Sequence, residues 1–138
     1  MADKIGLRLV TPSRLLLDEE VDEVAAPGAM GQFGVLPNHI SFLTLLEAGE
    51  MSYKQGSRSY RLAVSGGYAE VLDNIMTVLA DTAEYAEEID LERARSAREK
   101  AESKMAELGP EHEEFPAAEA ALRRAVVRLE VAGKRANR

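Results

Sequence analysis

The spacing of hydrophobic residues changes once along this chain, and no other feature restricts the possible folds as strongly. Up to about Tyr85 the hydrophobic period is two; in KIGLRLVT, for example, Ile5, Leu7 and Leu9 fall on one face. That period is typical of β-strands with one buried face. After Glu88 the period becomes that of an α-helix. The sequence therefore predicts a β domain over residues 1–86 and a helical domain over residues 87–138.

Several short strands are predicted before residue 86. In SYRLAVSGG the residues Tyr60, Leu62 and Val64 again alternate with others, and turn residues stand at Gln55–Ser57 and Asp73–Asn74. The second of these predicts a two-residue hairpin turn between YAEVL and IMTVLA. Short strands at such close spacing favour an all-β sandwich or barrel.

Two helices are predicted after Glu88. Asp90 is expected to cap the first one, which ends at Gly109–Pro110, and the second begins near Phe115–Pro116. The apolar stripes are Leu91, Ala94, Ala101, Met105 and Leu108 in the first helix, and Phe115, Ala118, Leu122, Ala125, Val126 and Leu129 in the second. Such alanine-rich stripes bury little surface, so we expect the helical hairpin to pack on something besides itself.

Composition excludes several classes of protein. The chain has no cysteine, so disulfides and thiolate chemistry play no part. A net charge of −7 argues against a nucleic-acid binder. No apolar run is long enough to span a bilayer, and the first residues do not have the pattern of a secretory signal.

A glycine-rich stretch, APGAMGQFGVLPNHISF, contains Gly28, Gly31, Gly34 and His39. Its G-x-x-G-x-x-G spacing differs from the dinucleotide-binding G-x-G-x-x-G, and no helix or Lys-Ser/Thr pair follows it. We therefore expect the three glycines to serve turns, where a positive φ or close backbone approach is required.

Evidence for metal binding or catalysis is weak. His39 and His112 lie in different halves of the chain, and the acidic run Glu111–Glu114 is typical of a solvated turn near a helix start. No nucleophile elbow occurs. The sequence predicts neither a metal site nor an enzyme acting alone.

The end of the chain is basic although the chain is acidic overall. From Pro116 onward it carries the acids Glu119 and Glu130, against the bases Arg123, Arg124, Arg128, Lys134, Arg135 and Arg138. The pattern is typical of a solvated helical face, and it also fits electrostatic docking on an acidic partner.

Taken together, these segments resemble the epsilon subunit of bacterial F-type ATP synthases over essentially the whole chain. The most specific parts are GQFGVLPNHISFL, VSGGYAEV, MTVLADTAE and IDLERA, in that order. The resemblance implies an α+β fold in which a β-sandwich of about ten strands precedes an antiparallel two-helix hairpin. This is the architecture that the two hydrophobic periods predict.

The resemblance also implies a role and partners. Such a subunit is a non-catalytic part of the rotor, or central stalk, of a proton-translocating synthase, and requires no cofactor. It lies at the cytoplasmic face of the bacterial plasma (inner) membrane without inserting into it. Its β domain binds the gamma subunit and the c-ring, and the implied contact residues here are Gly31, Gln32, Phe33, Gly34 and His39. Gln32 stands where some relatives have an acid.

Regulation is the second implied role. In bacterial members the hairpin either folds against the sandwich or extends along gamma towards the catalytic beta and alpha subunits, where it blocks ATP hydrolysis. The basic residues that would meet acidic surface there are Arg123, Arg124, Arg128, Lys134 and Arg135.

Some relatives bind ATP in the folded-down hairpin through an I/L-D-x-x-R-A motif. The matching residues here are Ile89, Asp90, Arg93 and Ala94, with Glu84, Arg124 and Arg128 at further positions and Lys100 where strong binders have arginine. This gives an alternative function, an ATP-sensing module whose hairpin position is set by ATP. The same residues also suit a helix cap and ion pairs with Glu92 and Glu119.

Overall fold

The computed structural model describes residues 3–134, which form ten β-strands followed by two α-helices. The strands are β1 Ile5–Thr11, β2 Arg14–Val21, β3 Glu23–Gly28, β4 Gly31–Val35, β5 Phe42–Leu45, β6 Gly49–Gln55, β7 Arg58–Ser65, β8 Tyr68–Leu72, β9 Ile75–Leu79 and β10 Thr82–Tyr85. A short 3₁₀ turn, Ala86–Glu88, leads into α1 (Leu91–Leu108) and α2 (Phe115–Gly133). These elements confirm the predicted sandwich and helical hairpin.

The strands form two five-stranded sheets packed face to face. The front sheet has the order β2-β1-β9-β8-β5, and the back sheet has the order β10-β7-β6-β3-β4. Neighbouring strands are antiparallel except for β1 and β9, which are parallel. The chain therefore crosses between the sheets several times before it reaches the helices.

The core between the sheets follows the period of two. Ile5, Leu7 and Leu9 are fully buried, as are Leu62 and Met76 on other strands. Tyr60 packs against this core while remaining half-buried. The alternation predicted for β1 and β7 is thus confirmed.

The β8–β9 hairpin has the predicted two-residue turn. Asp73 and Asn74 adopt φ angles of 50° and 62°. Positive φ at both central residues is the mark of a type I′ turn, whose twist matches that of the flanking strands. The Asn74 side chain also receives a 2.7 Å hydrogen bond from the Asn38 backbone N–H and donates one of 2.9 Å to the Lys4 carbonyl.

Each predicted helix boundary has a physical cause. The Asp90 carboxylate accepts a 3.1 Å hydrogen bond from the backbone N–H of Arg93, as an N-cap should. At the other end of α1, Gly109 has a φ of 76°, a conformation that glycine adopts without strain. Pro116 lies in the first turn of α2, where its missing N–H would have no partner.

The hairpin packs on the outer face of the back sheet, which confirms that it needs support beyond itself. Helix α2 makes this contact with β7 and β6. A separate apolar cluster, here called the docking seam, joins the two domains and consists of Ala63, Ala86, Ile89, Val131 and Ala132. Because Leu62 and Ala63 are both buried, strand β7 is covered on its two faces.

The expectation for the glycine-rich stretch is correct at two positions and wrong at the third. Gly31 has a φ of 115°, and a Cβ on Gly28 would lie 2.9 Å from the Phe33 ring. Gly34 has neither a positive φ nor a close neighbour, because it lies within β4 and pairs with Ala25. The first half of the expected loop is therefore strand β4.

Candidate functional site

A cleft opens where the sandwich meets the hairpin, and it brings most of the predicted ATP-binding residues together. We call it the junction cleft; its volume is about 360 Å³. Its lining residues are Glu84, Glu88, Ile89, Asp90, Arg93, Ala94, Ala97 and Arg128. Pockets that hold small molecules are typically about 300–1,000 Å³, so the cleft is at the lower end of that range.

Three elements position these side chains. Glu84 comes from β10, the motif residues come from the start of α1, and Arg128 comes from α2 as it returns past the sandwich. Arg128 Nε donates a 2.7 Å hydrogen bond to Glu84 Oε1, and both side chains are about one-third exposed. Arg128 therefore lines the cleft only while α2 lies against the back sheet.

Two predicted residues do not line the junction cleft. Lys100 is exposed on α1, about two turns beyond Arg93. Arg124 instead lines a narrow crevice beside Ser65 and Thr82. Two lining residues, Glu88 and Ala97, escaped prediction although Glu88 adjoins the motif and Ala97 lies three residues after Ala94.

The charges of the cleft are nearly balanced. Glu84 and Asp90 have partners already, and Glu88 Oε1 accepts a 3.0 Å hydrogen bond from the Tyr85 backbone N–H. Arg93 and Arg128 are the cationic residues in the lining. An anionic ligand would therefore bind through these two arginines and compete with Glu84 for the second.

The basic face of α2 lies against acidic residues of the sandwich. Lys134 Nζ lies 2.8 Å from Glu50 Oε1, and Arg123 Nη1 lies 3.9 Å from Glu47 Oε2. With the Arg128–Glu84 pair, three of the predicted inhibitory residues are thus engaged within the chain. Arg135, which belongs to the same prediction, lies outside the described residues.

The front sheet has an apolar outer face that sequence reasoning missed. Strand register aligns one residue from each strand into a single row, in the order Leu45, Tyr68, Leu79, Val10 and Leu15. Tyr68 is 48% exposed and Leu45 is 63% exposed. We call this set the apolar row. Hydrophobic residues at the outward positions of β8 and β9 were a signal that could have revealed it.

Tyr68 lies between two grooves of this face. One, of about 340 Å³, is lined by Leu43, Thr44, Leu45 and Tyr68. The other, of about 290 Å³, is lined by Val10, Thr11, Pro12, Gly67, Tyr68, Leu79, Ala80 and Asp81. Tyr68 therefore contributes to the lining of both grooves.

The predicted c-ring segment lies near one edge of the sandwich. Gln32 is exposed, with its side-chain amide 3.5 Å from the Glu50 carbonyl, and Phe33 contacts Phe42 edge to face. The His39 ring lies 2.8 Å from the Ile40 carbonyl through Nδ1. These contacts suit a histidine that shapes a loop.

Other kinds of site are absent from the described part of the chain. Residues 3–134 contain no group of histidine, aspartate and glutamate side chains that could hold a metal ion. Within the same residues, neither helix is long and apolar enough to cross a membrane.

A pair of tyrosines, Tyr53 buried and Tyr85 partly buried, lies close to the junction. The hydroxyl groups of Tyr53 and Tyr85 are 2.8 Å apart, and the Tyr53 ring stacks on Tyr60. Burial is the main cause that raises the pKa of Tyr53, and it also raises the pKa of Tyr85. The pair fixes the last strand of the sandwich immediately before the chain enters the hairpin.

Comparison with known proteins identifies the family. The model of the ATP synthase delta/epsilon chain β-sandwich domain matches residues 4–86, and that of the delta/epsilon chain long α-helix domain matches residues 87–133. The chain therefore belongs to the ATP synthase delta/epsilon chain family, which confirms the resemblance drawn from the sequence.

Individual relatives narrow this to the epsilon type. The ATP synthase epsilon chain of Geobacter metallireducens is 52% identical, with 97% of each chain covered. That of Citrifermentans bemidjiense is 51% identical over the full length of both. A chain in the cryo-EM structure of the Euglena gracilis mitochondrial ATP synthase OSCP/F1/c-ring aligns with a TM-score of 0.83 and 27% identity, over 96% of this chain and 82% of that one.

Proposed function

We propose that this non-catalytic ATP synthase subunit works in the central stalk, where its β domain (residues 1–86) binds gamma and the c-ring. The apolar row is the observation that carries this proposal. Exposed apolar patches on soluble proteins usually mark interaction sites. The back sheet is covered over β6 and β7 by the chain's own hairpin, whereas the row on the front sheet faces outward.

Gamma is the partner that we assign to the apolar row. Tyr68 between its two grooves resembles a binding hot spot, because large aromatic side chains in well-packed pockets dominate interface energies. The segment from Gly31 to His39 is assigned to the c-ring. Together these contacts would transmit rotation of the ring while leaving the subunit peripheral, at the cytoplasmic face of the bacterial inner membrane.

Capture tests this assignment. The purified chain, immobilised through its N-terminus, should retain a gamma–c-ring subcomplex and show no ATP turnover of its own. Failure to retain the subcomplex at micromolar concentrations of both components would contradict the proposed role.

The second half of the proposal concerns the hairpin, residues 87–138. Extended, it would present its basic face, including Arg123, Arg124, Arg128 and Lys134, to acidic surface on the beta and alpha subunits and inhibit hydrolysis. Docked as in this structure, Arg123, Arg128 and Lys134 face carboxylates of the sandwich instead. The docked form is therefore the one that permits hydrolysis.

ATP sensing is the second candidate function, and the junction cleft favours it. Six of the residues predicted to bind ATP line one cleft: Glu84, Ile89, Asp90, Arg93, Ala94 and Arg128. Bound ATP would join α1 to α2 and favour the docked form. Calorimetric titration with ATP tests this, since a dissociation constant below about 1 mM corresponds to more than roughly 4 kcal/mol of binding free energy. No binding at several millimolar ATP, by calorimetry at two temperatures, would exclude sensing.

A further inference from the structure

The basic face of α2 is matched by acidic residues on the surface it docks against. Arg123, Arg128 and Lys134 are near Glu47, Glu84 and Glu50, respectively, and each of these carboxylates belongs to the sandwich. Helix α2 contains one further basic residue, Arg124, and it lines the crevice over β7 and β10. The docked hairpin thus places the basic residues of α2 and Lys134 against the sandwich.

The apolar part of the same contact is rich in alanine, with the partly buried Leu91 and Val127 packed against it. Three of the five residues in the docking seam are alanines, Ala63, Ala86 and Ala132. An alanine side chain brings a single methyl group, and the free energy of apolar burial scales with the area removed from water. Charge therefore contributes a larger share to this contact than it does to the core of the sandwich.

We propose that Glu47, Glu50 and Glu84 form an acidic latch, which holds the hairpin docked by occupying the cations that inhibition requires. This inference rests on the inhibitory role proposed above. A basic side chain paired with the sandwich cannot at the same time face an acidic partner subunit. Neutralising the three carboxylates consequently releases the hairpin and strengthens inhibition. Raised ionic strength is a poorer test, because it weakens the contact of the hairpin with the sandwich and its contact with the partner subunit alike.

A buried thiol can report release even when the open form is rare. The chain has no cysteine, so Ala63→Cys would place a single thiol in the docking seam, on the sandwich side. Ala63 is 6% exposed, and its alkylation by iodoacetamide requires the hairpin to leave. The alkylation rate, measured on the full-length isolated chain without nucleotide, is proportional to the opening equilibrium constant.

The latch variant combines Glu47→Gln, Glu50→Gln and Glu84→Gln, and the control combines Asp18→Asn, Glu20→Gln and Glu23→Gln. The control removes the same number of negative charges from the sandwich. Asp18 and Glu23 pair with Arg8 and Lys54 of the sandwich, and not with the hairpin. We expect alkylation of the introduced thiol in the latch variant to be roughly 3- to 100-fold faster than in the chain with Ala63→Cys alone, because the variant loses three ion pairs that are partly exposed. An acceleration no greater than that of the control would overturn the latch.

An inhibition assay with an F1 sector that lacks its own epsilon subunit distinguishes a failure of the latch from a failure of the proposed inhibitory role. The latch variant should inhibit hydrolysis at a lower concentration than the unmodified chain. A combined Arg123→Gln, Arg128→Gln and Lys134→Gln variant should alkylate as fast as the latch variant yet inhibit less. Fast alkylation without stronger inhibition in the latch variant would leave the latch standing and contradict the inhibitory role.

Discussion

Arg128 Nε donates a 2.7 Å hydrogen bond to Glu84 Oε1, and this ion pair lies where hairpin, back sheet and junction cleft meet. The two residues are 44 positions apart in sequence. One arginine thus belongs both to the basic face of α2 and to the lining of the cleft. Nucleotide binding and hairpin docking are consequently expected to depend on each other.

Substitution of Arg128 tests the cleft as a nucleotide site. Arg128→Ala removes one of the two cations in the lining, and we expect ATP affinity to fall at least about tenfold, since hydrogen bonds to charged groups contribute roughly 1.5–3 kcal/mol. Arg95→Ala is the matched control, because Arg95 pairs with Glu92 on the exposed side of α1. Calorimetry that finds equal affinities for the two variants would rule out a phosphate contact at Arg128.

An acidic residue in the apolar row should prevent assembly. Tyr68→Asp places a charge in the row, between its two grooves, and we expect gamma binding to weaken by at least about tenfold because hot-spot truncations cost roughly 2 kcal/mol or more. Ala106→Asp adds the same charge at an exposed position of α1. The readout is retention of the gamma–c-ring subcomplex. Normal retention by a folded Tyr68→Asp chain would place the interface elsewhere.

The turn at Asp73–Asn74 should contribute to stability through both its backbone and the Asn74 side chain. Asn74→Gly keeps the positive φ accessible but loses two hydrogen bonds, so the free energy of unfolding should fall by about 1–2 kcal/mol. Asn74→Ala should cost about 1 kcal/mol more, because alanine disfavours this conformation. Denaturant unfolding gives both values, and equal stabilities of the two variants would contradict this explanation.

Alkaline pH should destabilise the sandwich through Tyr53. Its pKa is raised by burial, so the folded chain keeps the phenol proton where the unfolded chain loses it. The buried phenol contributes its full stabilisation below about pH 10, the pKa of tyrosine in the unfolded chain. Above that pH, the free energy of unfolding falls by about 1.4 kcal/mol per pH unit. Tyr53→Phe should remove this part of the slope between pH 9 and 11. An unchanged slope in the variant would show that Tyr53 ionises freely in the folded chain.

Local patterns in the sequence predicted the elements of this fold well. The period of two identified the inward residues of β1, the Asp73–Asn74 pair identified the turn between β8 and β9, and Asp90 identified the start of α1. These patterns involve only a few neighbouring residues, so they can be interpreted without knowledge of the tertiary structure. The local motif likewise predicted the α1 part of the junction cleft.

Properties that depend on register or on distant packing were not accessible. The apolar row takes one residue from each of five strands, and only the pairing register reveals that Leu45, Tyr68 and Leu79 are neighbours. Alternation in β7 also could not show that Ala63 lies under a helix. The position of Lys100 and Arg124 outside the cleft could not be predicted, because sequence spacing does not fix which way α1 and α2 face at those positions.

Deletion of residues 88–138 tests the division of labour between the two domains most directly. The remaining β domain keeps the apolar row and the segment from Gly31 to His39. Reconstituted with an F1 sector and c-ring lacking epsilon, it should assemble and couple like the full chain while ATP hydrolysis is faster. Loss of assembly, or hydrolysis that stays at the rate of the full chain, would contradict the account.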